Sequence, residues 1–320
     1  MAAINSDSCP TLIDCATLGD LAGLVRLLAQ GSHGSLQSSK ALCAAAANGH
    51  ADCVKLLIPV SDPKANDSEA IRWAARDGHA ECVKLLILVS DPKANSSAAL
   101  SWAASSGQAE CVKLLIPVSD PKANNSAALS WAASNGRAEC VKLLIPVSDP
   151  KAHHSQALAV AAYNGHAKCV ELLIPASDPK LDESKALALA ARHGYAECVE
   201  LLISVSDPKA DESYAFCEAA ARGHVECAKL LIPVSGPFLH NNRALSAVVD
   251  SDSVELLSLM LAAEPLLLSA GSLHGLLSSA ISKSRPNLTT FLSSIVEHES
   301  LAANVRHPEA RLLPAAPRRL

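Results

Sequence analysis

Apolar and polar positions recur along this chain with a period of 29 residues. In one unit, Ile71, Ala74 and Ala75 are spaced i, i+3, i+4 and therefore share one face of a predicted helix. The apolar face of a second predicted helix is formed by Cys82, Val83, Leu86 and Ile87. Neither short helix buries its apolar face alone, so the pattern predicts that the units stack on their neighbours.

Polar and glycine or proline positions mark the ends of these helices. Ser68 is predicted to be the N-cap of the first helix, and Gly78 to end it in a left-handed conformation. Pro59 is predicted to stop the second helix because proline has no N–H, and Asp62-Pro63-Lys64 is predicted to form the turn that follows. The equivalent prolines are Pro117, Pro146, Pro175 and Pro233.

The strong units begin at seven equally spaced serines. These are Ser39, Ser68, Ser97, Ser126, Ser155, Ser184 and Ser213. A weaker copy starts at Asn242. With one degenerate copy at each end of the repeat region, the predicted number of units is ten. We therefore expect an N-terminal segment at residues 1–9, a repeat domain at 10–297 and a flexible tail at 298–320.

One stretch of the repeat is specific enough to suggest a family. Residues 70–87 read Ala-Ile-x-x-Ala-Ala-x-x-Gly-His-Ala-Glu-Cys-Val-Lys-Leu-Leu-Ile, which resembles the helical half of an ankyrin repeat. The usual ankyrin period is about 33 residues, and the hairpin sequence of that family is replaced here by Val-Ser-Asp-Pro-Lys-Ala. The resemblance implies an all-α solenoid of stacked helix-turn-helix repeats with shortened inter-repeat turns.

Composition and charge narrow the functional classes. The net charge of −5 argues against a nucleic-acid binder, which needs a basic surface, and no apolar run has the length of about 20 residues needed to span a membrane. We found no phosphate-binding loop, catalytic constellation or complete set of metal ligands. The sequence therefore predicts a monomer that is not an enzyme and that needs no cofactor and no metal.

A cysteine recurs at the same position of seven units, from Cys53 to Cys227. Unpaired cysteine behaves as a small buried apolar residue, and so many thiols indicate a reducing compartment, with the cytoplasm expected and a nuclear or delivered-effector location left open. A His-x-x-Cys pattern is similar to half of a zinc site. However, Gln108, Arg137 and Tyr195 replace the histidine in other units, so we predict that this position bonds to the neighbouring loop.

Tryptophans form another column, at Trp73, Trp102 and Trp131. Val160 and Leu189 continue it, which favours partial burial between adjacent units, with a stacking platform for a ligand as the alternative. Later turn residues, such as Asp182 and Asp211, form an acidic edge that suits either solvent or a basic partner.

Differences among near-identical units predict where a partner binds. The variable positions flank the repeat glycine, and in the ankyrin family the positions before that glycine lie toward the concave groove. Tyrosine and arginine are enriched at binding hot spots, and they occur in this stripe in the later units. The predicted partner-binding residues are Arg137, Tyr163, Asn164, His166, Arg192, His193, Tyr195, Arg222 and His224.

The function predicted from these features is a non-catalytic scaffold that binds another protein on a concave helical surface. Three alternatives remain open at this point. They are an effector or inhibitor that masks a partner enzyme, a regulatory subunit of an enzyme complex, and a structural spacer with no dedicated partner.

Overall fold

The computed structural model describes residues 11–31, 34–235, 242–263 and 270–306, so the predicted segment at residues 1–9 lies outside the described residues. The described residues form twenty α-helices and one 3-10 turn, Ile58–Val60, and none of them lies in a strand. Ten helix pairs follow one another along the chain, as predicted. The chain divides into two compact units, Met1–Ala186 and Leu187–Leu320.

The first unit contains the pairs from α1 to α12 and the start of α13. Their bounds are α1 (Leu12–Leu18), α2 (Leu21–Ala29), α3 (Ser35–Ala47), α4 (Ala51–Leu57), α5 (Ala65–Asp77), α6 (Ala80–Ile87), α7 (Ala94–Ser106), α8 (Ala109–Leu115), α9 (Ala123–Ser134), α10 (Ala138–Leu144), α11 (Ala152–Tyr163), α12 (Ala167–Leu173) and α13 (Leu181–Arg192). First helices pack on the first helices of adjacent pairs, α3 to α11 in turn, and second helices pack likewise from α4 to α12. This arrangement is a solenoid of helical repeats.

The second unit contains the remainder of α13 and the last seven helices. Their bounds are α14 (Ala196–Ile203), α15 (Ala210–Ala221), α16 (Val225–Ser235), α17 (Asn242–Ser251), α18 (Val254–Ala263), α19 (Ala270–Ser282) and α20 (Pro286–Arg306). Here α15 packs on α17, and α16 packs on both α14 and α18. Because α20 runs to Arg306, the beginning of the predicted tail is helical, and residues 307–320 lie outside the described residues.

The core repeats as regularly as the sequence. In the unit around α5 and α6, Ile71, Ala74, Cys82, Val83 and Leu86 are all at most 1% exposed. Burying one such leucine or isoleucine side chain stabilises the fold by about 1.5–3 kcal/mol. The small alanines of the first helix let neighbouring helices approach closely, which explains why a chain with few aromatics still packs a continuous core.

Six of the inter-repeat turns lead into the next helix through three consecutive left-handed residues. In one repeat these are Asn66, Asp67 and Ser68, with φ values of 51°, 57° and 58°. The same conformation occurs in five further repeats, beginning at Asn95, Asn124, His153, Asp182 and Asp211. Asn, Asp and His are the non-glycine residues most often found at positive φ. Backbone conformation therefore accounts for the residue types at the first of these positions.

The prediction that the Ser68 hydroxyl caps the first helix is wrong, because the hydroxyl bonds to a backbone group outside that helix. Ser68 directly precedes the right-handed helix, but its hydroxyl accepts a 2.9 Å hydrogen bond from the backbone N–H of Asp91. The equivalent serine–aspartate pairs are Ser39–Asp62, Ser97–Asp120, Ser126–Asp149 and Ser155–Asp178. Ser39 makes the bond from within the regular helix α3, so the bond does not require the left-handed turn. In each of these repeats the hydroxyl reaches the far end of its own repeat, where it accepts from a backbone N–H that no helix pairs.

The predicted turn is confirmed, and one predicted helix stop is not. The Asp62 carboxylate accepts from the N–H of Lys64, and the carbonyl of Asp62 accepts from the N–H of Ala65. Helix α4 ends at Leu57, two residues before Pro59. In the second unit, however, α16 continues through Pro233 to Ser235. The Ser235 carbonyl accepts from the buried Ser213 hydroxyl at 2.8 Å, which satisfies the extended helix end.

Asp252 stands where the other repeats have glycine. It keeps the left-handed conformation of those glycines, with φ of 52°. Its carboxylate accepts a hydrogen bond of 3.0 Å from the N–H of Leu288 and another of 3.0 Å from the Asn287 amide. The substitution therefore gives the start of α20 a capping carboxylate, which is favourable at a helix N-terminus.

Candidate protein-binding surfaces

The residue after each repeat glycine fastens its repeat to the preceding one. The Nε2–H of His79 donates to the Ala47 carbonyl at 3.0 Å, and the ring lies against Gly49 so closely that a Cβ there would be 2.5 Å from Nδ1. Gln108 takes the same place with its amide, 3.4 Å from the Arg76 carbonyl. The predicted bond to the neighbouring repeat is therefore present, but its acceptor is a carbonyl at the end of the preceding first helix and not in the loop.

Four of the nine predicted partner-binding residues make such contacts. In the first unit, Arg137 donates to the Ser105 carbonyl, and both Asn164 and His166 donate to the Ser134 carbonyl. In the second unit, His224 donates to the Arg192 carbonyl at 3.1 Å. These side chains hold neighbouring repeats together and thereby fix the backbone next to the variable positions.

The remaining predicted residues of the second unit are Arg192, His193, Tyr195 and Arg222. Together with Glu218, which was not predicted as a binding residue, they form a cluster that we call the unit 2 patch. Glu218 accepts from Arg222 at 2.5 Å and lies 3.7 Å from the Nε of Arg192. The rings of His193 and Tyr195 are stacked, with their centroids 6.2 Å apart. Two guanidinium groups face one carboxylate, so the cluster carries an excess of positive charge beside an aromatic pair.

The ninth predicted residue, Tyr163, ends α11 in the first unit with 47% of its surface exposed. Trp131, which the sequence favoured as a packing residue with a ligand-stacking role as the alternative, is 55% exposed on the neighbouring helix α9. Both are large aromatic side chains on first helices of adjacent repeats.

The other two tryptophans are packed, as predicted for the column. Trp73 and Trp102 meet edge to face with centroids 5.4 Å apart, and the Arg76 guanidinium lies 4.0 Å above the Trp73 ring. The Trp73 indole also donates to Glu69 at 3.1 Å. Trp131 departs from the prediction, because the next residue in its column is the smaller Val160, which leaves the outer part of the indole uncovered.

Two shallow cavities adjoin Trp131, with volumes of about 400 and 390 Å³. One lies between α7 and α9, and the other between α9 and α11. Asn124, Ala127 and Trp131 contribute to both, so the indole stands between them. The residues that line the cavities include no Asp, Glu, Lys or Arg.

The cysteine column lies inside the core. Burial raises the pKa of the thiols of Cys82, Cys111 and Cys140 to about 11. These cysteines are free, and each is at most 1% exposed. Among the described residues, no group of three or more His, Cys, Asp or Glu side chains is arranged to hold a metal ion. No helix in the described part of the chain is long and apolar enough to cross a membrane.

Comparison with known proteins identifies the family. A family model described as ankyrin repeats (3 copies) matches residues 12–98, 71–154, 100–184, 129–212 and 187–268, which together span most of the chain. The chain belongs to the ankyrin-repeat family. Repeats of this family generally serve as protein–protein interaction modules.

Among solved structures, the chain is similar to the crystal structure of the human ASB11 ankyrin repeat domain. The two share 20% sequence identity with a TM-score of 0.43, over 64% of this chain and 95% of that one. No curated protein sequence matches the chain closely enough to count as a relative.

Proposed function

We propose that the chain is a non-catalytic scaffold that binds another protein through variable side chains displayed on a repeated framework. The main support for this proposal is the contrast between repeat positions that are buried and repeat positions that are exposed. Framework positions such as Leu86 and Cys82 are buried, whereas Trp131, Tyr163 and Tyr195 expose 55%, 47% and 36% of their surface. Aromatic side chains dominate binding hot spots because they offer a large contact area at a low entropic cost.

The unit 2 patch is our proposed recognition site in the second unit. Its two arginines share Glu218, so one guanidinium retains donors for a carboxylate on the partner. Tyr195 supplies aromatic contact area beside them, and the bond from His224 to the Arg192 carbonyl holds the backbone in place. This chemistry fits a partner that presents an acidic side chain next to an apolar one.

In the first unit, Tyr163 is the proposed contact residue. Arg137, Asn164 and His166 act on binding through the backbone that they fix, since their bonds to neighbouring carbonyls set the position of the adjoining turns. A rigid display loses little ordering entropy when a partner binds. We further propose that the protein acts as a monomer in a reducing compartment such as the cytoplasm, where its column of free thiols stays reduced.

The test is capture of partners from cell extract by the full chain, with each captured partner then measured against purified variants. We expect the Tyr195→Ala/Arg222→Ala double variant to bind its partner at least about tenfold more weakly, the usual scale of a hot-spot loss. Glu200→Ala, an exposed change on α14 in the same unit, is the matched control. Circular dichroism checks that both variants fold.

Either of two results would count against the proposal. Equal affinity of the double variant and the control would remove the unit 2 patch as the recognition site. Failure to capture any specific partner would favour a structural spacer over a binding scaffold.

A further inference from the structure

We infer that the first unit binds an uncharged, proline-rich segment of a partner in the polyproline II conformation, laid across Trp131. Prolines at positions i and i+3 of that segment would enter the two cavities beside the indole. The inference rests on the proposed function in that it requires the chain to bind polypeptide. It concerns a surface separate from the unit 2 patch and gives the partner a defined chemistry.

The first observation is the state of Trp131 itself. Trp73 and Trp102 pack against each other, and the guanidinium groups of Arg76 and Arg72 lie over their rings. Among the described residues, none forms a comparable ring or cation–π contact with Trp131. An indole that is 55% exposed between two cavities is available to pack against a ligand and to donate its N–H.

The second observation is the spacing of the cavities. They occupy successive gaps between first helices, and packed helices are separated by about 8–10 Å. A polyproline II helix rises about 3.1 Å per residue and has three residues per turn, so each turn advances about 9 Å. Every third residue of such a segment therefore meets an equivalent gap between helices, and an extended ligand stays in register with the repeats.

The third observation is the chemistry of the lining. The lining has no Asp, Glu, Lys or Arg, and His153 in the second cavity is its one titratable side chain. A charged segment would therefore lose hydration there with little gain from ion pairs. Neutral donors are plentiful, among them Asn124, Ser101 and Ser130. A polyproline II segment has no internal hydrogen bonds, so its carbonyls are free to accept from these groups.

Other modes of peptide binding fit this surface less well. An amphipathic helix needs a continuous apolar groove, whereas Ser and Asn alternate with Ala around Trp131. Addition of a strand needs the open edge of a sheet, and the described residues contain no strand. Proline-rich segments dock in aromatic-lined grooves, and Trp102 and Trp131 both line the first of the two cavities.

Fluorescence anisotropy tests the inference on the full chain. The probe is a labelled, uncharged peptide of about twelve residues in which proline recurs every third residue, one per polyproline II turn, with Ala and Gln between. The control peptide has the same composition with prolines at alternate positions, so that no two lie three residues apart. Trp131→Leu is the test variant, since Leu189 occupies the same column in a later repeat. The Tyr195→Ala/Arg222→Ala variant is the control protein.

The inference predicts saturable binding of the first peptide, at least about fivefold weaker binding of the control peptide, and a similar loss in Trp131→Leu, on the scale of one aromatic contact. The unit 2 variant should bind the first peptide as well as the unaltered chain does. Absence of saturable binding, or equal affinity of Trp131→Leu, would overturn it. If a partner is still captured through the unit 2 patch in that case, the proposed function survives the loss of this inference.

Discussion

The hydroxyl of Ser97 accepts a 2.9 Å hydrogen bond from the backbone N–H of Asp120, 23 residues further along the chain. Ser97 directly precedes the right-handed part of the first helix of its repeat, and Asp120 begins the turn that follows the second helix. The bond therefore closes the repeat on itself, and it is made by a side chain that is 2% exposed. A hydrogen bond of this kind contributes about 0.5–1.5 kcal/mol net to stability, so this small contact matters to every repeat that contains it.

The first prediction follows from that bond. Ser97→Ala should lower the free energy of unfolding by about 0.5–1.5 kcal/mol, because the hydrogen bond from the Asp120 N–H is lost. Ser96→Ala is the matched control: Ser96 is the preceding residue, has a similar left-handed conformation and is exposed. Urea denaturation followed by circular dichroism measures both. Equal loss of stability in the two variants would show that the bond contributes nothing specific.

A second prediction concerns the left-handed turns. Glu183 has φ of 55° and an exposed side chain, and a left-handed conformation costs a residue with a Cβ about 1–2 kcal/mol. Glu183→Gly should therefore stabilise the fold by about 0.5–1 kcal/mol, after the greater chain entropy of glycine is subtracted. Glu183→Ala keeps the Cβ and should change stability little. A glycine variant no more stable than the alanine variant in urea denaturation would contradict the expectation.

The sequence was sufficient to predict the helix pairs, their number and their core. These features depend on local periodicity, as the spacing of Ile71, Ala74 and Ala75 illustrates. The glycine at the end of the first helix was also predictable, since Gly78 has φ of 84° and lies in the C-cap position. The hydrogen-bond partner of Ser68 could not be predicted from the sequence. A serine hydroxyl suits both an N-cap and a hydrogen bond to a turn 23 residues away, so the residue type does not distinguish the two.

The candidate surfaces were less accessible to sequence reasoning than the core. Trp131 belongs to the same column as Trp73 and Trp102, yet only its neighbour in the next repeat, Val160, determines whether it is covered. The bonding of the residue after the glycine to the preceding repeat was predictable, but the similar bond made by Asn164, before the glycine, was not. Asn164 and Tyr163 adjoin in sequence, and one donates to a neighbouring carbonyl while the other stays largely exposed.

A third prediction uses two glycines that differ in one respect. Gly136 and Gly223 both have positive φ, at 68° and 73°, but a Cβ on Gly136 would lie 2.7 Å from the His166 ring, whereas a Cβ on Gly223 would meet nothing within 4 Å. Gly223→Ala should destabilise by about 1–2 kcal/mol through its backbone alone. Gly136→Ala should cost about 1–3 kcal/mol more, because the His166 ring must move. Chemical denaturation of both variants gives the difference, and equal losses would contradict the steric account.

The fourth prediction is a loss of stability at alkaline pH. Burial raises the pKa of Cys82, Cys111 and Cys140 from 9.0 to about 11. Between these values the unfolded chain releases thiol protons that the folded chain retains, so stability is fully present below about pH 9 and declines toward pH 11. Valine is apolar and has no ionisable group, so replacing these three cysteines by valine should make the free energy of unfolding fall less steeply with pH. Lysine titration is the same in both proteins and does not affect the comparison. The free energy of unfolding, measured by urea denaturation at intervals across this range, gives the two slopes. Identical slopes would mean that the buried thiols do not contribute to the pH dependence.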